Sequence, residues 1–322
     1  MTDQRIPLLI DTDPGVDDAL ALLMAFNDPR HDVVGLTIAA GNVGLTHTVA
    51  NALKICDVVG ADVPVFAGCA APLLHPAVDA AYVHGQDGLG DVGHAPSLRR
   101  AESEHAALAI LRLSHQYAGQ LLLVALGPLT NLAVALKLDP SLPSRIDRLV
   151  VMGGAVTGHG NMTAHAEFNI AFDPEAAHIV LSAFPHFDLV DWEATISHGL
   201  PHGEVLQWLA ADSPRAKFFD AISRKTREWS ADRRGDDWYA ADALAMAHAL
   251  EPEGALEVAR RALVVETEGR HTRGATVVDW RVEQADAGGN ASIVRGYDRE
   301  RFQRRVQAAL AATGAAGLAP TA

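Results

Sequence analysis

The chain has 322 residues, 49% of them hydrophobic, with 40 acidic and 26 basic side chains and a formal net charge of −14. This is the composition of a globular chain with a large core, and it excludes a disordered one. The acid excess argues against nucleic acid as a partner, because phosphates are held by Lys and Arg. Arg233-Arg234, Arg260-Arg261 and Arg304-Arg305 are isolated doublets rather than a basic run.

In chain order, β-branched and leucine-rich runs predict strands at Ile6–Ile10, Asp32–Ala40, Asp62–Gly68, Gln120–Leu126, Arg148–Met152 and Phe187–Trp192. Helical patterns fall between them at Val16–Asn27, Thr46–Val59, Glu104–Tyr117, Asn131–Leu138 and Pro174–Ala183. Apolar strands alternating with helices predict a largely parallel, Rossmann-like open sheet covered on both faces. Arg261–Gly269 and Gly274–Val282 read as a small antiparallel hairpin, and Arg299–Ala312 as a last helix. The expectation is one α/β domain over residues 1–322 with a flexible tail from 313.

Cys56 and Cys69 form neither a disulfide framework nor a zinc motif and read as small buried hydrophobes. No apolar run approaches the ~18 residues of a membrane span. The apolar stretch near the N-terminus is too short for a secretory signal. A cytoplasmic location without membrane contact is therefore expected.

The most informative stretch is DTDPGVDDALAL, Asp11 to Leu22, with Asp11, Asp13, Asp17 and Asp18 at a strand-to-helix turn. Ligands of open α/β sheets bind beyond the carboxyl ends of strands, where Asp13 falls. A helix N-terminus tolerates one or two such acids. Crowded carboxylates beyond that number protonate or take up a cation. Oxygen donors without nearby His or Cys suit Ca²⁺ or Mg²⁺ rather than zinc.

Other strand ends add polar groups: Gly41-Asn42, the Gly127-Pro128 turn after Leu126, and Gly153-Gly154. The segment from Gly160 to Ala177 carries Asn161, Glu167 and Asn169 before a helix. Amides and a carboxylate serve sugar hydroxyls, which both donate and accept; the same residues also suit an ordinary turn.

The ordered series resembles the nucleoside hydrolase family of inosine–uridine-preferring type. It comprises DTDPGVDDALAL, Gly41-Asn42, HGQDGLG (His84 to Gly90), LGPLTNLA (Leu126 to Ala133), VMGGA (Val151 to Ala155), AEFNIAFDPEAA (Ala166 to Ala177) and RGATVVD (Arg273 to Asp279). The resemblance runs from about Ile6 to Ala312. It implies a Ca²⁺-dependent enzyme that hydrolyses ribonucleosides to ribose and free base, assembled as a homodimer or homotetramer.

Carried over residue by residue, the resemblance implies that Asp13, Asp18, the Leu126 carbonyl and Asp242 ligate calcium. Asp13 would also take a proton from the attacking water. Asp17 and Asn169 would hold the ribose 2′-hydroxyl, Asp242 the 3′-hydroxyl, and Asn161 with Glu167 the 5′-hydroxyl. Asn42 would stand beside these contacts and Met152 would pack near the ribose. A neutral nucleoside fits this acidic set better than a nucleotide does.

One position departs from the family pattern. Many members have a His directly before the last calcium-binding Asp, and this chain has Ala241 before Asp242. Trp238 or Tyr239 would then stack on the base, although Trp238 reads equally as a helix-edge core residue. His84 is a further candidate for reaching the base, and Glu193, for which the family offers no clear counterpart, reads either as a buried polar support or as a pocket acid.

Two other functions compete with hydrolysis. Ala241 suits a ribonucleoside-binding or sensing protein with weak turnover, since loss of a general acid costs about 10²–10⁴ in rate. Asp11-x-Asp13 after a strand suits a haloacid-dehalogenase-type phosphatase. Gly15 and the lack of a later Lys with paired Asp speak against that second alternative.

Overall fold

Each apolar run pairs with its neighbours in a computed structural model that describes residues 5–281 and 289–313. The first half contains β1 (Ile6–Thr12), α1 (Val16–Ala25), β2 (His31–Ile38), α2 (Leu45–Val59), β3 (Val65–Ala67), α3 (Ala81–His84) and α4 (Ala106–Gln116). Then come β4 (Leu121–Ala125), α5 (Thr130–Leu138), β5 (Ile146–Met152), α6 (Phe168–Phe172), α7 (Pro174–Ala183) and β6 (Phe187–Val190). After them come α8 (Trp192–Ser197), β7 (Leu200–Pro201), α9 (His202–Leu209), α10 (Pro214–Arg234), β8 (Asp237–Trp238) and α11 (Ala241–Leu250). The chain closes with β9 (Ala255–Arg261), β10 (Leu263–Val265), β11 (Thr276–Val278), β12 (Ala291–Tyr297) and α12 (Arg299–Ala311).

The main sheet has eight strands in the order β3-β2-β1-β4-β5-β6-β12-β9. All neighbours run parallel except β9, which lies antiparallel to β12 at one edge. Strand order reverses between β1 and β4, and a cleft opens at such a switch point beyond the carboxyl ends. Leu8, Ile10, Leu122 and Val124 face one apolar layer, while Leu9, Leu123 and Val151 face the other. Period-2 alternation along a parallel strand requires this two-sided cover.

On the first face α1 packs directly against α11. Every residue of α11 is buried, and in α1 only Asp17 is not. A helix apolar all round must lie inside, and alanine-rich ADALAMAHAL lets its neighbour approach closely. The two helices therefore present their first turns at the same cleft.

The predicted strands and helices of the first half recur within a few residues. Phe187–Trp192 is shorter as a strand than expected, because Asp191 accepts the Ala194 N–H at 2.8 Å and starts α8 at Trp192. The β10–β11 hairpin forms as anticipated. The C-terminal part is more than a hairpin, since β12 continues the parallel sheet beside β6. Cys56 is buried and Cys69 half-buried, and both are free thiols. The expected tail from residue 314 lies outside the described residues. Among the described residues no helix is long and apolar enough to cross a membrane.

A buried ionic knot fastens the first and last helices. Asp28, just beyond α1, meets His31 Nδ1 at 3.0 Å and Arg305 of α12 at 2.8 Å. Burial alone would raise its pKa, yet the His31 and Arg305 hydrogen bonds outweigh that and hold it below the usual carboxylate range. A depressed folded value stabilises the protein fully above the unfolded pKa of about 4, and the benefit fades as pH falls through the folded value. Asp28→Asn is expected to cost about 3 kcal/mol at neutral pH. Urea melts at stepped pH should show the gap between variant and wild type begin to narrow below about pH 4 and close only as pH falls through the depressed folded value, where Asp28 itself becomes neutral.

Candidate active site

β1 ends at Thr12 and delivers Asp13 to the switch point, while β4 ends at Ala125 and delivers the Leu126 carbonyl beside it. Asp13 is held from three sides. Its Oδ2 accepts the Asn42 N–H at 2.7 Å, and Gly41 and Gly127 close on the carboxylate. A Cβ at Gly41 would stand 2.0 Å from Asp13 Oδ2, and one at Gly127 2.3 Å from Oδ1. Glycine is required at both places by close approach alone.

Asp18 faces the same point from the first turn of α1. It accepts Gly15 N–H and Asn42 Nδ2, each at 2.9 Å, and also the Thr12 hydroxyl. Asn42 thus braces two carboxylates, and its side chain also donates to the Asp13 carbonyl at 3.1 Å. Asp17 and Asp242 complete the group. Oxygen atoms of Asp17, Asp18 and Asp242 lie within 4.8 Å of one another, a spacing that can hold one metal ion.

Electrostatics match this crowding. Burial, and then the charge of Asp18, holds Asp13 well above the ordinary carboxylate range. Burial with the charges of Asp17, Asp18 and Asp13 does the same to Asp242. Burial and Asp17 raise Asp18. Burial lifts Asp17 to about 6 even though backbone N–H groups, those of Asp242 and Ala241 among them, pull it down. Two helix N-termini soften the repulsion, and a bound cation would remove much of the rest. The all-oxygen donor set and the cradle closed by Gly41 and Gly127 fit a hard divalent cation.

The fourth aspartate of the motif stands apart. Asp11 Oδ2 accepts Thr37 Oγ1 at 2.6 Å and Asn131 Nδ2 at 3.0 Å, which ties β1 to β2 and α5. Burial pushes it up to about 7.

Above the carboxylates lies a cleft of about 840 Å³, open solvent included. Its lining contains Asp17, Asn42, His84, Leu126, Met152, Asn161, Glu167, Asn169, Trp238, Tyr239 and Asp242. Thus the residues that the resemblance assigns to metal, sugar and base meet here, with Asp13 and Asp18 joined to the lining through Asn42, while Asp11 and Glu193 lie outside it. Asn169 Nδ2 donates to the Leu126 carbonyl at 2.6 Å and to Met152 Sδ at 3.2 Å. Glu167 caps α6 by accepting Asn169 N–H at 2.8 Å and Ile170 N–H at 3.2 Å, and it also takes Gly154 N–H. Burial nevertheless lifts it to about 7. Asn161 Oδ1 accepts Phe168 N–H at 2.8 Å, which leaves its amide nitrogen available.

Three candidates resolve differently from one another. Trp238 is 4% exposed and packs 5.8 Å from Phe219, so it is a core residue with one edge on the cleft. His84 Nδ1 accepts the Val16 N–H at 3.1 Å, and burial pushes the ring down to about 4, so it is neutral. Glu193 is a support rather than a cleft acid, since it accepts Thr157 N–H at 2.8 Å and pairs with Arg295. Trp192, Trp229 and Arg234 also line the cleft and were not singled out in the sequence. In the sequence Trp192 stands at the end of an apolar strand run and Arg234 is half of a basic doublet, and neither context signals a site.

The profile of the inosine-uridine preferring nucleoside hydrolases matches residues 8–304. The chain belongs to that family. Among relatives of this nucleoside hydrolase, a uridine nucleosidase of Arabidopsis thaliana is 38% identical over 71% of this chain and 68% of its own. A non-specific ribonucleoside hydrolase of Salmonella enteritidis is 36% identical over 93% and 95%. The solved structure of a plant nucleoside hydrolase superposes with a TM-score of 0.89 at 29% identity, covering 96% of this chain and 100% of that one.

The glycine cradle yields a direct test. Gly127→Ala should lower ribonucleoside turnover about 10²-fold or more, because displacing a reacting group by an ångström costs that much. Steady-state kinetics alongside circular dichroism checks it. Full turnover in a folded variant would show that Asp13 tolerates displacement.

Proposed function

We propose that this nucleoside hydrolase cleaves the N-glycosidic bond of ribonucleosides with Asp13 as the base and a calcium ion as cofactor. One observation carries the reading: buried carboxylates converge at the switch point of the sheet, beside a cleft lined by amides, within a chain of this family.

Asp13, Asp18, the Leu126 carbonyl and Asp242 would hold the ion. All are oxygen donors, and a hard cation of flexible coordination suits them better than zinc. When bound, it supplies the positive charge that lets these acids stay ionised together, and it orients water and the ribose diol. Asp17 serves the sugar instead: its side chain is 20% exposed and lines the cleft, whereas Asp13 and Asp18 are buried.

Asp13 accepts the proton of the water that attacks the anomeric carbon. Asp17 and the oxygen of Asn169 hold the 2′-hydroxyl, and Asp242 the 3′-hydroxyl. Asn161 and Glu167 take the 5′-hydroxyl, while Asn42 keeps Asp13 and Asp18 in register and Met152 packs beneath the ring. The transition state carries positive charge on the ribosyl group, so fixed carboxylates around it lower the barrier. Water arriving on the face opposite the base parallels inverting glycosidases. Assembly as a cytoplasmic homodimer or homotetramer belongs to the same proposal, and light scattering reads the oligomer.

Removing divalent ions with a chelator should abolish release of ribose from uridine and inosine, and added Ca²⁺ should restore it. Asp13→Ala should fall by at least about 10²-fold. A 2′-deoxynucleoside should react far more slowly than its ribo counterpart, since it lacks the hydroxyl held by Asp17. Turnover indifferent to chelator and to Asp13 would sink the mechanism.

A further inference from the structure

The proposed roles serve the ribose and leave the departing base without a partner. Breaking the N-glycosidic bond sends its electron pair to a base nitrogen, and the charge that collects there needs an acid or a cation. Ala241 offers only a methyl group. His84 is a neutral ring whose Nδ1 is already taken by the Val16 N–H.

Another part of the cleft wall carries a cation. Arg234, the last residue of α10, has its guanidinium carbon 4.6 Å from the ring centroid of Trp192 and 4.8 Å from that of Trp229. Tyr239 lies 5.9 Å away, and all four side chains line the cleft. Such ring faces attract the guanidinium and fix its plane while leaving its N–H edges unused. Among the described residues Arg234 has no hydrogen-bond or ion-pair partner. The charge of Asp17 reaches it, so it stands within electrostatic range of the sugar site.

We propose that Arg234 receives the leaving base, its guanidinium donating hydrogen bonds to the ring nitrogen or carbonyl oxygen on which the negative charge collects. The inference rests on the hydrolase reading above. The bond from C1′ to the base nitrogen breaks and its electron pair goes to the base. The water oxygen bonds to C1′ and passes a proton to Asp13. The base leaves as an anion paired with Arg234 and then takes its proton from solvent. Arg234 keeps its own protons, as guanidinium does at any working pH. The ligand class is a planar heteroaromatic base with an acceptor on its edge, such as uracil or hypoxanthine.

The test compares uridine and inosine with p-nitrophenyl β-D-ribofuranoside, whose leaving group departs as a stable anion unaided. Arg234→Met should lower the ratio of kcat for the nucleosides to kcat for the nitrophenyl riboside by about 10²-fold, the usual effect of removing one preorganised donor. Arg234→Lys should lower it less, because the charge remains while the planar fork is lost. Equal losses on both substrates would overturn the proposal and make Arg234 a structural clamp for the two indoles. So would an unchanged ratio, or a selective loss found in His84→Gln but absent in Arg234→Met. Wild-type protein that releases neither base nor nitrophenolate with Ca²⁺ present would instead overturn the hydrolase reading, and this proposal with it.

Discussion

Mutual repulsion among buried carboxylates is the constraint around which this molecule is arranged. Asp13, Asp17, Asp18 and Asp242 share one small volume, and burial, joined at Asp13, Asp18 and Asp242 by the charges of their neighbours, makes each reluctant to ionise. Left alone, such a group would protonate or push the site apart. The fold answers with N–H donors from Asn42 and Gly15 and with the positive ends of two helices, and the oxygens of Asp17, Asp18 and Asp242 lie close enough together to hold one metal ion.

The rest of the architecture makes that arrangement possible. A switch point opens a cleft only where strand order reverses, and here the reversal lies between β1 and β4, whose ends supply Asp13 and Leu126. Asp242 comes from a helix far along the chain and arrives because α11 packs along α1. The near-total burial of both helices follows from sequences with almost no polar face, so the packing that buries the core also sets the spacing of the acids. Gly41 and Gly127 then allow two backbone segments to close on Asp13. Stability and site geometry are one problem in this fold.

Much was legible before any coordinates. Parallel strands announce themselves as continuous apolar runs because both faces are buried, which is why β1, β2, β4 and β5 read clearly. The acid-rich turn after β1 was equally plain, since a buried helix start seldom carries so many carboxylates. By contrast β9 is an edge strand with mostly exposed side chains, ALEVARR, and shows no apolar run to read. The helix α10 has a polar, charged composition that hides its inward face, so Trp229 and Arg234 gave no signal in one dimension.

The sequence by itself determined the class of fold, the acidic turn and many of the residues that line the cleft, because local pattern and ordered motifs carry those. Tertiary structure decided which aspartates share a space. It separated Asp11 from the others by turning it toward Thr37 and Asn131, and it tied Asp17 to the start of α11. It also decided that Trp192, Trp229 and Arg234, which lie on different elements or at different turns, form one wall. Spacing along the chain cannot encode such meetings, because they arise from how helices settle on a sheet rather than from any local period.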